Sequence, residues 1–480
     1  MRIFDKLFIG GRWMAPAGTG TIEVISPHTE EPVGRVPEAI EADVDAAVAA
    51  ARLAFDRSDW PRMTPQERCA VVARFAEIYA SRLPEMAALI SEEMGSPMQF
   101  AQLAQSPAPW MMLNSFLQIA AAYEWEETRT GMLGEQVIVR REPVGVVGSI
   151  VPWNVPQFTI MSKLAPSLIA GNTIVIKPAP ETPLDAFVMA EWLVEAGVPE
   201  GVVSIVPAGR EVGEHLVRHP GIDKISFTGS TAAGRKIGAI CGEQLKRFSL
   251  ELGGKSAAII LDDADLGAIM DELKFASLMN NGQACIAQTR ILASKRRYDE
   301  VVDAVGGMVS KLNVGDPADT ATDIGPLVAK RQQERVEKYI ALGQEEGARV
   351  VVGGNGRPSG LDRGWYVQPT VFAGVSNDMR IAQEEIFGPV LAVIPYTDEE
   401  DAIRIANDSA YGLAGSVWTT DAARGLDVAR RIRTGTLAVN RYLMDFFAPF
   451  GGFKASGIGR EFGREGLEEY LEAKTMIPAF

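Results

Sequence analysis

The sequence predicts an α/β protein built on parallel sheets, and two observations support this fold class. From residue 144 onward, short β-branched runs that are apolar throughout alternate with helical segments. A second alternation of the same kind begins at Ser256 and continues to about residue 440. Strands that are apolar on both faces and separated by helices are typical of a parallel sheet covered by helices on both sides. The clearest runs of the first alternation are residues 144–151, 173–176, 202–206 and 224–227.

The N-terminal part of the chain has a different pattern. Its first 36 residues are rich in Gly, Pro and Thr and predict short strands and turns. Helical periodicity follows over residues 39–57 and 65–93, with Thr64 as a candidate cap of the second helix, and a third helical segment covers residues 100–123. Residues 128–143 predict a protruding hairpin, because an alternating run follows a glycine-containing turn.

Length and charge limit the class of protein. The chain has 480 residues, about three times a typical single domain, so two or three domains are expected. With 62 Asp and Glu against 47 Lys and Arg, its formal net charge is −15. Such a surface repels phosphate backbones and anionic membranes, so neither nucleic acid nor a membrane is expected as a partner. No run of about 18 apolar residues is present either.

Cysteine and histidine are scarce. The three cysteines, Cys69, Cys241 and Cys285, are too few for a disulfide framework and indicate a reducing, cytoplasmic compartment. Three histidines without a Cys-x-x-Cys motif supply a zinc site poorly, so no metal is expected. The N-terminus carries no long apolar stretch, so we expect neither a signal peptide nor an anchor.

Cys285 is the first candidate for chemistry. It follows Asn280, Asn281 and Gln283, a polar and constrained approach that predicts the start of a helix. The N-terminus of a helix lowers the pKa of a thiol and increases the thiolate fraction. A free cysteine is more often a small buried residue, and this is our interpretation of Cys69 and Cys241.

Three further segments each allow two interpretations. Glu251 lies between two leucines, where desolvation would raise its pKa toward that of a general base, although most glutamates are solvated surface charges. Asn154 follows an apolar run and could either stabilise an oxyanion or cap the next helix. Gly229 and Ser230 follow a strand and open a helix, where they could bind a phosphate or form an ordinary turn.

Seven sequence blocks follow one another along the chain: Pro152-Trp153-Asn154, Lys177-Pro178, Phe227-Thr228-Gly229-Ser230-Thr231, Glu251-Leu252-Gly253-Gly254-Lys255-Ser256, Gly282-Gln283-Ala284-Cys285, Glu385-Ile386-Phe387-Gly388-Pro389 and Pro449-Phe450-Gly451-Gly452-Phe453-Lys454-Ala455-Ser456-Gly457. Together, and in this order, they resemble the aldehyde dehydrogenase superfamily, and the resemblance covers nearly all 480 residues. The separation of Glu251 and Cys285 by 34 residues is also similar to that in the family.

The resemblance implies oxidation of an aldehyde to a carboxylic acid. Cys285 is implied as the nucleophile, and the Asn154 side-chain amide and the Cys285 backbone N–H as the donors to the thiohemiacetal oxyanion. Hydride transfer to a nicotinamide then leaves a thioester. Glu251 is implied as the base that activates water for its hydrolysis.

The resemblance also implies NAD as the cofactor. Gly229 and Ser230 are implied as pyrophosphate contacts. Lys177 is implied as the contact of the adenosine ribose and is counted with the catalytic residues as well. Glu385 is expected to hold the nicotinamide ribose, with Phe387 beside the nicotinamide. The other expected cofactor contacts are Ile150, Pro152, Trp153, Gly213, Phe227 and Leu252.

One position departs from the family pattern. Many members that use NAD carry a glutamate three residues after the lysine, where it binds the ribose hydroxyls. Here that position is Pro180, followed by Glu181. A carboxylate at this point repels a 2′-phosphate, so its absence weakens the argument for strict use of NAD. NAD with some tolerance of NADP is therefore expected.

By position in the family, a set of largely apolar side chains lines the aldehyde tunnel. Because Val155 and Ser162 are smaller than the aromatic residues frequent in the family, a wide tunnel for a bulky or medium-length apolar aldehyde is expected. The alternatives are an anionic semialdehyde bound by Arg441, which could instead pair with Asp445, and an ordinary Met-rich core. The implied tunnel residues are Trp110, Met111, Val155, Phe158, Ser162, Met279, Ile286, Met444 and Phe450.

The family's architecture implies three parts. These are a Rossmann-like cofactor domain with a parallel sheet, an α/β catalytic domain and a small β oligomerisation element that would join a homodimer or homotetramer. The implied boundaries are 1–122 and 144–252 for the first, 253–455 for the second, and 123–143 and 456–480 for the third.

Three rival functions are disfavoured. An aldehyde dehydrogenase that acylates coenzyme A generally lacks the base glutamate, yet Glu251 is present. A cofactor-free hydrolase would not need the Glu385 block. A non-catalytic structural protein on the same scaffold would be expected to have lost Cys285 or Glu251.

Overall fold

Two large, mainly parallel sheets organise the chain, as the two alternations predict. The computed structural model describes residues 1–478. Its strands are β1 (Arg2–Ile3), β2 (Leu7–Ile9), β3 (Arg12–Met14), β4 (Thr21–Ile25), β5 (Pro32–Pro37), β6 (Glu126–Thr130), β7 (Gln136–Pro143), β8 (Val146–Ile150), β9 (Thr173–Lys177), β10 (Val203–Ile205), β11 (Lys224–Thr228), β12 (Arg247–Glu251), β13 (Ala257–Ile260), β14 (Arg290–Ser294), β15 (Arg349–Val352), β16 (Thr370–Ala373), β17 (Val390–Tyr396), β18 (Gly415–Trp418), β19 (Ala438–Val439), β20 (Gly457–Ile458) and β21 (Leu471–Met476).

Helices separate most of the strands. The α-helices are α1 (Glu41–Arg57), α2 (Pro65–Ser81), α3 (Leu83–Met94), α4 (Met98–Phe100), α5 (Pro107–Ala122), α6 (Pro156–Ala170), α7 (Leu184–Glu195), α8 (Arg210–Arg218), α9 (Thr231–Gln244), α10 (Leu266–Leu278), α11 (Tyr298–Val309), α12 (Lys330–Glu345), α13 (Arg380–Gln383), α14 (Glu399–Asn407), α15 (Ala422–Arg430) and α16 (Gly463–Glu468). Ala101–Gln105 forms a π-helical turn, and Met279–Gly282 a 3₁₀ turn.

The first large sheet has the strand order β20-β12-β11-β8-β9-β10-β2-β3. Its central pairs, from β12 to β10, are parallel, and its edge strands pair antiparallel. Every residue of β8 and β9 is buried, which explains why these strands have no alternating polar face.

The second large sheet has the order β15-β16-β17-β14-β13-β18-β19. Only the edge strand β15 pairs antiparallel. Separate apolar clusters cover the two faces of this sheet, so alternate residues of β13 point into different clusters. Both large sheets are therefore covered on both sides, as an α/β fold requires.

A small antiparallel sheet contains the predicted hairpin. Strands β6 and β7 form the hairpin, and β21 pairs along the other edge of β7. Residues 457–458 do not join this sheet: they form β20, which pairs with β12 in the first large sheet. The segment 456–480, expected to form the oligomerisation element with 123–143, is thus divided between two sheets, and residues 479 and 480 lie outside the described part of the chain.

The predicted N-terminal helices are present, with two interruptions. Thr64 caps α2 by accepting from the Glu67 N–H, and its own N–H donates to the Glu67 carboxylate. The expected single helix over 65–93 is two helices, because Arg82 leaves helical geometry and Pro84 begins a new first turn. The third segment contains the π turn before Pro107, whose missing N–H interrupts a regular helix.

Helix α6 is buried over almost its whole length and begins directly after residues 151–155. It therefore places the loop after β8 next to the protein core. Among residues 1–478, no helix combines the length and the apolar character needed to span a bilayer.

Candidate active site

A cavity of about 520 Å³ opens at the carboxyl ends of β8, β11 and β12, where ligands bind in open α/β sheets. The loops before β14 and β17 and the segment after β19 complete its wall. Of the predicted site residues, those that line it are Pro152, Trp153, Asn154, Gly229, Ser230, Glu251, Leu252, Cys285, Glu385 and Phe387, together with Met111, Val155, Phe158, Met279, Ile286, Met444 and Phe450 of the expected tunnel.

Two expected tunnel residues are not part of this wall. Ser162 lies one turn beyond Phe158 on α6, where its short side chain is buried and its hydroxyl donates to the Thr159 carbonyl. Trp110 is exposed, and it follows a different helical direction from its neighbour Met111, because adjacent positions on a helix face different ways. The tunnel role of these two residues stays a prediction.

Four expected cofactor residues lie behind the wall rather than in it: Ile150, Lys177, Gly213 and Phe227. The Lys177 ammonium donates to the Ala208 carbonyl at 2.7 Å, and burial lowers its pKa to about 8. Gly213 packs against the Lys177 stem, where a Cβ atom would be 3.3 Å from Cε. Lys177 is not among the residues of the cavity wall, and its catalytic role and its cofactor role both stay predictions.

Cys285 does not start a helix, so that prediction is wrong. It lies in a turn between the 3₁₀ turn and β14. Asn280 and Asn281 have positive φ angles, 53° and 62°, and reverse the chain before the cysteine. Asparagine tolerates this left-handed region better than most residues, which accounts for the polar run that suggested a helix cap.

The thiol of Cys285 is half-buried in the cavity. Burial, and then the negative charges of Glu385 and Glu251, raise its pKa instead of lowering it. In this environment the thiol is protonated at neutral pH. A proton acceptor, for which solvent in the cavity suffices, is therefore needed to generate the thiolate.

Glu251 ends β12 and faces the same cavity. Its side chain is almost fully buried, and neither carboxylate oxygen has a hydrogen-bond partner among the described residues. Burial first, and then the charge of Glu461, raise its pKa well above the usual range. This is the electrostatic setting of a general base, so the structure favours that interpretation over a solvated surface charge.

A buried ion pair that the sequence analysis missed lies beside Glu251. The Lys163 ammonium, within α6, donates to the Glu461 carboxylate at 2.5 Å and to the Thr228 hydroxyl at 2.7 Å. Glu461 also lines the cavity, and the positive charge of Lys163 lowers the pKa of Glu251 against the effect of burial. The available signal was a lysine within an otherwise apolar helix.

Asn154 is buried, and its side-chain amide donates to the Gln283 carbonyl at 2.9 Å. A primary amide has two N–H groups, so a second remains for a ligand in the cavity. The alternative that Asn154 caps α6 is wrong, because Val155 is the cap position and no side chain bonds there.

Part of the cavity wall has groups of the kind that bind a dinucleotide. Ser230 caps α9 by accepting from the Ala233 N–H, so Gly229 and Ser230 present backbone at a helix N-terminus. Gly229 must be glycine, because a Cβ atom there would be 2.5 Å from the Phe227 ring. The Glu385 carboxylate accepts from the Gly254 N–H at 3.0 Å and also faces the cavity.

Aromatic and apolar residues form the rest of the wall. Phe387 has a φ of 68° and packs edge-to-face on Trp153, with ring centroids 5.4 Å apart. Tyr442, not singled out from the sequence, is buried, and its hydroxyl has no hydrogen-bond partner in the described part of the chain. Other wall residues that sequence reasoning missed are Phe100, Leu103, Ala104, Gln105, Phe275, Leu443 and Phe446.

Arg441, the candidate cation for a semialdehyde, is exposed and outside the wall. Asp445 accepts instead from the Phe447 N–H, and within residues 1–478 no ion pair joins it to Arg441. The same part of the chain has no group of three or more His, Cys, Asp or Glu side chains arranged to hold a metal ion.

Comparison with known proteins establishes the family. The sequence model described as the aldehyde dehydrogenase family matches residues 13–476. The chain is 48% identical over 472 residues to a geranial dehydrogenase of Castellaniella defragrans, and the aligned residues cover 98% of each protein. It is 44% identical over 479 residues to a 3-succinoylsemialdehyde-pyridine dehydrogenase of a Pseudomonas species, and the aligned residues cover 99% of each protein.

Solved structures agree with this family. A Mycobacterium tuberculosis aldehyde dehydrogenase in complex with NAD+ superposes with a TM-score of 0.98 at 55% identity, covering 100% of this chain and 99% of that one. A cysteine-to-alanine mutant of aldehyde dehydrogenase C from Pseudomonas syringae, in complex with NAD+ and octanal, has a TM-score of 0.96 at 40% identity, covering 99% and 98%. The chain therefore belongs to the aldehyde dehydrogenase family, which confirms the resemblance, the fold class and the enzyme class predicted from its motifs.

Proposed function

We propose that the protein uses NAD to oxidise a bulky or medium-length apolar aldehyde to the carboxylic acid. The observation that carries the proposal is one cavity whose wall contains Cys285, Asn154 and Glu251 together with Gly229, Ser230 and Glu385. The proposed nucleophile, oxyanion donor, base and dinucleotide contacts thus share one cavity.

In the first half of the reaction, the Cys285 sulfur bonds to the aldehyde carbon, and the thiol proton leaves to water. The Asn154 amide and the Cys285 backbone N–H donate to the resulting oxyanion, so negative charge is stabilised where it develops. Bound NAD accepts the hydride that this adduct releases. The aldehyde carbon is thereby oxidised to a thioester on Cys285.

In the second half, Glu251 takes a proton from water, which attacks the thioester and releases the carboxylic acid and the Cys285 thiol. A carboxylate without hydrogen bonds is a stronger base than a solvated one, because nothing else stabilises its charge. The ion pair of Lys163 and Glu461 lies in the same buried cluster, and the charges of both residues act on the pKa of Glu251.

For the cofactor, we propose that Gly229 and Ser230 hold the pyrophosphate, Lys177 the adenosine ribose and Glu385 the nicotinamide ribose. The family members solved with NAD+ support this choice. Glu181 lies near enough to Lys177 to raise its pKa, and it forms an ion pair with Arg331 at 2.6 Å. Its charge disfavours a 2′-phosphate, so NAD is preferred and NADP tolerated.

The apolar substrate class rests on the wall of the tunnel. Its side chains from α5, α6, α10 and the segment after β19 are mainly aliphatic, aromatic or methionine. The charges that raise the pKa of the Cys285 thiol are those of carboxylates, Glu385 first and then Glu251, and negative charge at this position repels an anionic substrate. The relatives named for geranial and crystallised with octanal support an apolar aldehyde, whereas the semialdehyde relative keeps the alternative as an outcome to test.

The deciding experiment measures reduced cofactor formed from octanal, geranial, benzaldehyde and succinic semialdehyde, each with NAD and with NADP. We expect turnover with the apolar aldehydes and NAD, and little with succinic semialdehyde. Cys285→Ala should abolish turnover, whereas Cys69→Ala, outside the cavity wall, should retain it. Preference for succinic semialdehyde would contradict the substrate class, and turnover by Cys285→Ala would contradict the mechanism.

We also propose that the protein is a homodimer or homotetramer. One edge of β21 pairs with β7, and no partner strand covers its other edge within residues 1–478. Met132, Leu133 and Ile477 at the ends of this sheet are strongly exposed apolar residues. Open strand edges and exposed apolar groups are usual places for another subunit to pair.

A reducing compartment, the cytoplasm, is the location we propose. Cys69, Cys241 and Cys285 are all free thiols in the structure. The proposed mechanism requires Cys285 to stay reduced, because an oxidised sulfur cannot attack an aldehyde.

A further inference from the structure

The π turn Ala101–Gln105 carries a buried side chain that the mechanism above does not use. Gln105 is 1% exposed, and the same turn contributes Leu103 and Ala104 to the cavity wall. Single π turns within helices are uncommon and frequently occur at functional sites. The wider turn directs Gln105 toward the loop after β8.

The orientation of the Gln105 amide is determined by its neighbours. Its Nε2 lies 3.1 Å from the Asn154 carbonyl oxygen, 3.2 Å from Asn280 Oδ1, 3.2 Å from Met94 Sδ and 3.4 Å from Ser96 Oγ. The first three of these atoms only accept hydrogen bonds. The NH₂ group must therefore face them, because a flipped amide would place oxygen against oxygen.

Asn280 closes a ring of amides around Asn154. Its Nδ2 donates to the Asn154 carbonyl at 2.8 Å and approaches the Gln283 carbonyl at 3.4 Å. The Asn154 side chain donates to that same Gln283 carbonyl. The backbone and the side chain of Asn154 are thus both tied to the loop that carries Cys285.

The Oε1 atom of Gln105 indicates that this residue does more than stabilise the folded state. Its Oε1 is buried and has no partner among the described residues. A buried polar atom without a hydrogen bond destabilises the folded state, and such groups in native proteins need a separate explanation. A methionine or leucine would fill this position without that cost.

We propose that Gln105 is a positioning residue that holds Asn154 in the orientation in which its free amide N–H meets the oxyanion. This inference rests on the proposed role of Asn154 in catalysis. An oxyanion donor contributes only when it is preorganised, so removing one of the two bonds to the Asn154 carbonyl should reduce the rate of adduct formation.

The test is a double-mutant cycle with Gln105→Met, which keeps side-chain length but removes the amide. We expect kcat/KM for octanal to fall about tenfold, with the Kd of NAD unchanged and the rate of hydride transfer reduced. In an Asn154→Ala background the same change should have less than about a twofold effect, since the residue it positions is gone. Gln102→Met, in the same π turn but exposed, is the matched control and should match the wild type.

The outcomes distinguish the positioning role of Gln105 from the proposed catalytic role of Asn154. Full activity of Gln105→Met, or an undiminished loss in the Asn154→Ala background, would overturn the positioning role alone. Full activity of Asn154→Ala would instead overturn the proposed function of Asn154.

A second variant keeps the test decisive if Gln105→Met does not fold. Gln105→Glu preserves the shape of the side chain and, when protonated, one donor. Its kcat/KM relative to wild type should fall as pH rises and the introduced carboxyl ionises against the Asn154 carbonyl. A pH profile parallel to that of the wild type would contradict the proposal.

Discussion

At the scale of single residues, burial sets the resting protonation of the site. It raises the pKa of the Cys285 thiol and that of the Glu251 carboxyl together. The proposed nucleophile and the proposed base therefore both hold a proton more tightly than a solvated thiol or carboxyl does. Glu251 can accept a proton from water only when its carboxyl is ionised, and a rising pH increases the ionised fraction.

The rate of thioester hydrolysis should accordingly increase with pH through a transition above the usual carboxyl range. The sign follows from the raised pKa of Glu251: below it the carboxyl is protonated and cannot accept a proton from water. Single-turnover and steady-state rates of NADH formation across pH measure this increase.

Glu251→Gln should remove this increase of the rate with pH. It should leave a burst of NADH followed by very slow turnover, because acylation proceeds while hydrolysis does not. Glu243→Gln, an exposed change on α9, serves as the control. An unchanged steady-state rate in Glu251→Gln would exclude Glu251 as the base.

Cofactor preference also depends on one residue. Replacing Glu181 by Gln removes a carboxylate whose charge reaches Lys177. We expect kcat/KM for NADP to rise about three- to tenfold while that for NAD changes little. Steady-state kinetics with both cofactors measure the ratio, and Glu191→Gln, exposed on α7, is the matched control. A ratio unaffected by the change would show that the charge of Glu181 does not act at the ribose.

At the scale of elements, a carboxyl group from one helix caps another. Glu93 of α3 is fully buried and accepts from the N–H groups of Leu184 and Asp185 at the start of α7. The buried Asp185 accepts in turn from Gln157 of α6 at 2.8 Å. Burial raises the pKa of both carboxyls, that of Asp185 to about 7.

This pair predicts a pH-dependent stability. The unfolded Asp185 releases its proton near pH 4, whereas the folded one holds it to about pH 7, so stability is lost as pH rises through that window. Asp185→Asn removes the ionisation. Its Tm relative to the wild type should therefore increase with pH between these values, by about 2 °C or more.

Thermal denaturation of the two proteins across pH, with Asp427→Asn on the surface of α15 as the control, measures this difference. A constant difference in Tm would mean that folding does not raise the pKa of Asp185.

The same elements show what local sequence can predict. Strands β8 and β9 follow from their apolar runs, and the start of α2 follows from its capping residues. The break at Arg82 and the π turn were not foreseen, because helical periodicity continues across both. Cys285 was assigned to a helix start because Asn280 and Asn281 suit helix caps and left-handed turns alike.

At the scale of the whole molecule, the site depends on contacts between distant parts of the chain. Lys163 and Glu461 are 298 residues apart, and Gln105 and Asn280 are 175 apart. Motif resemblance located Cys285, Glu251 and Asn154, because their roles are tied to local blocks. The buried partners that surround them required the fold, since no local pattern links residues so far apart.

The solution mass tests the assembly that we propose from the small sheet. Light scattering should give two or four times the chain mass of 51.8 kDa. A mass of one chain would mean that the free edge of β21 does not pair with another subunit.

The central claim is a covalent acyl group on Cys285, and it can be observed directly. Glu251→Gln incubated with octanal and NAD should retain the octanoyl group, because the step that removes it is blocked. Peptide mass spectrometry is expected to find one octanoyl group on the peptide containing Cys285 and none on those containing Cys69 or Cys241. NADH formation with no adduct at Cys285, or an adduct at another cysteine, would contradict the mechanism.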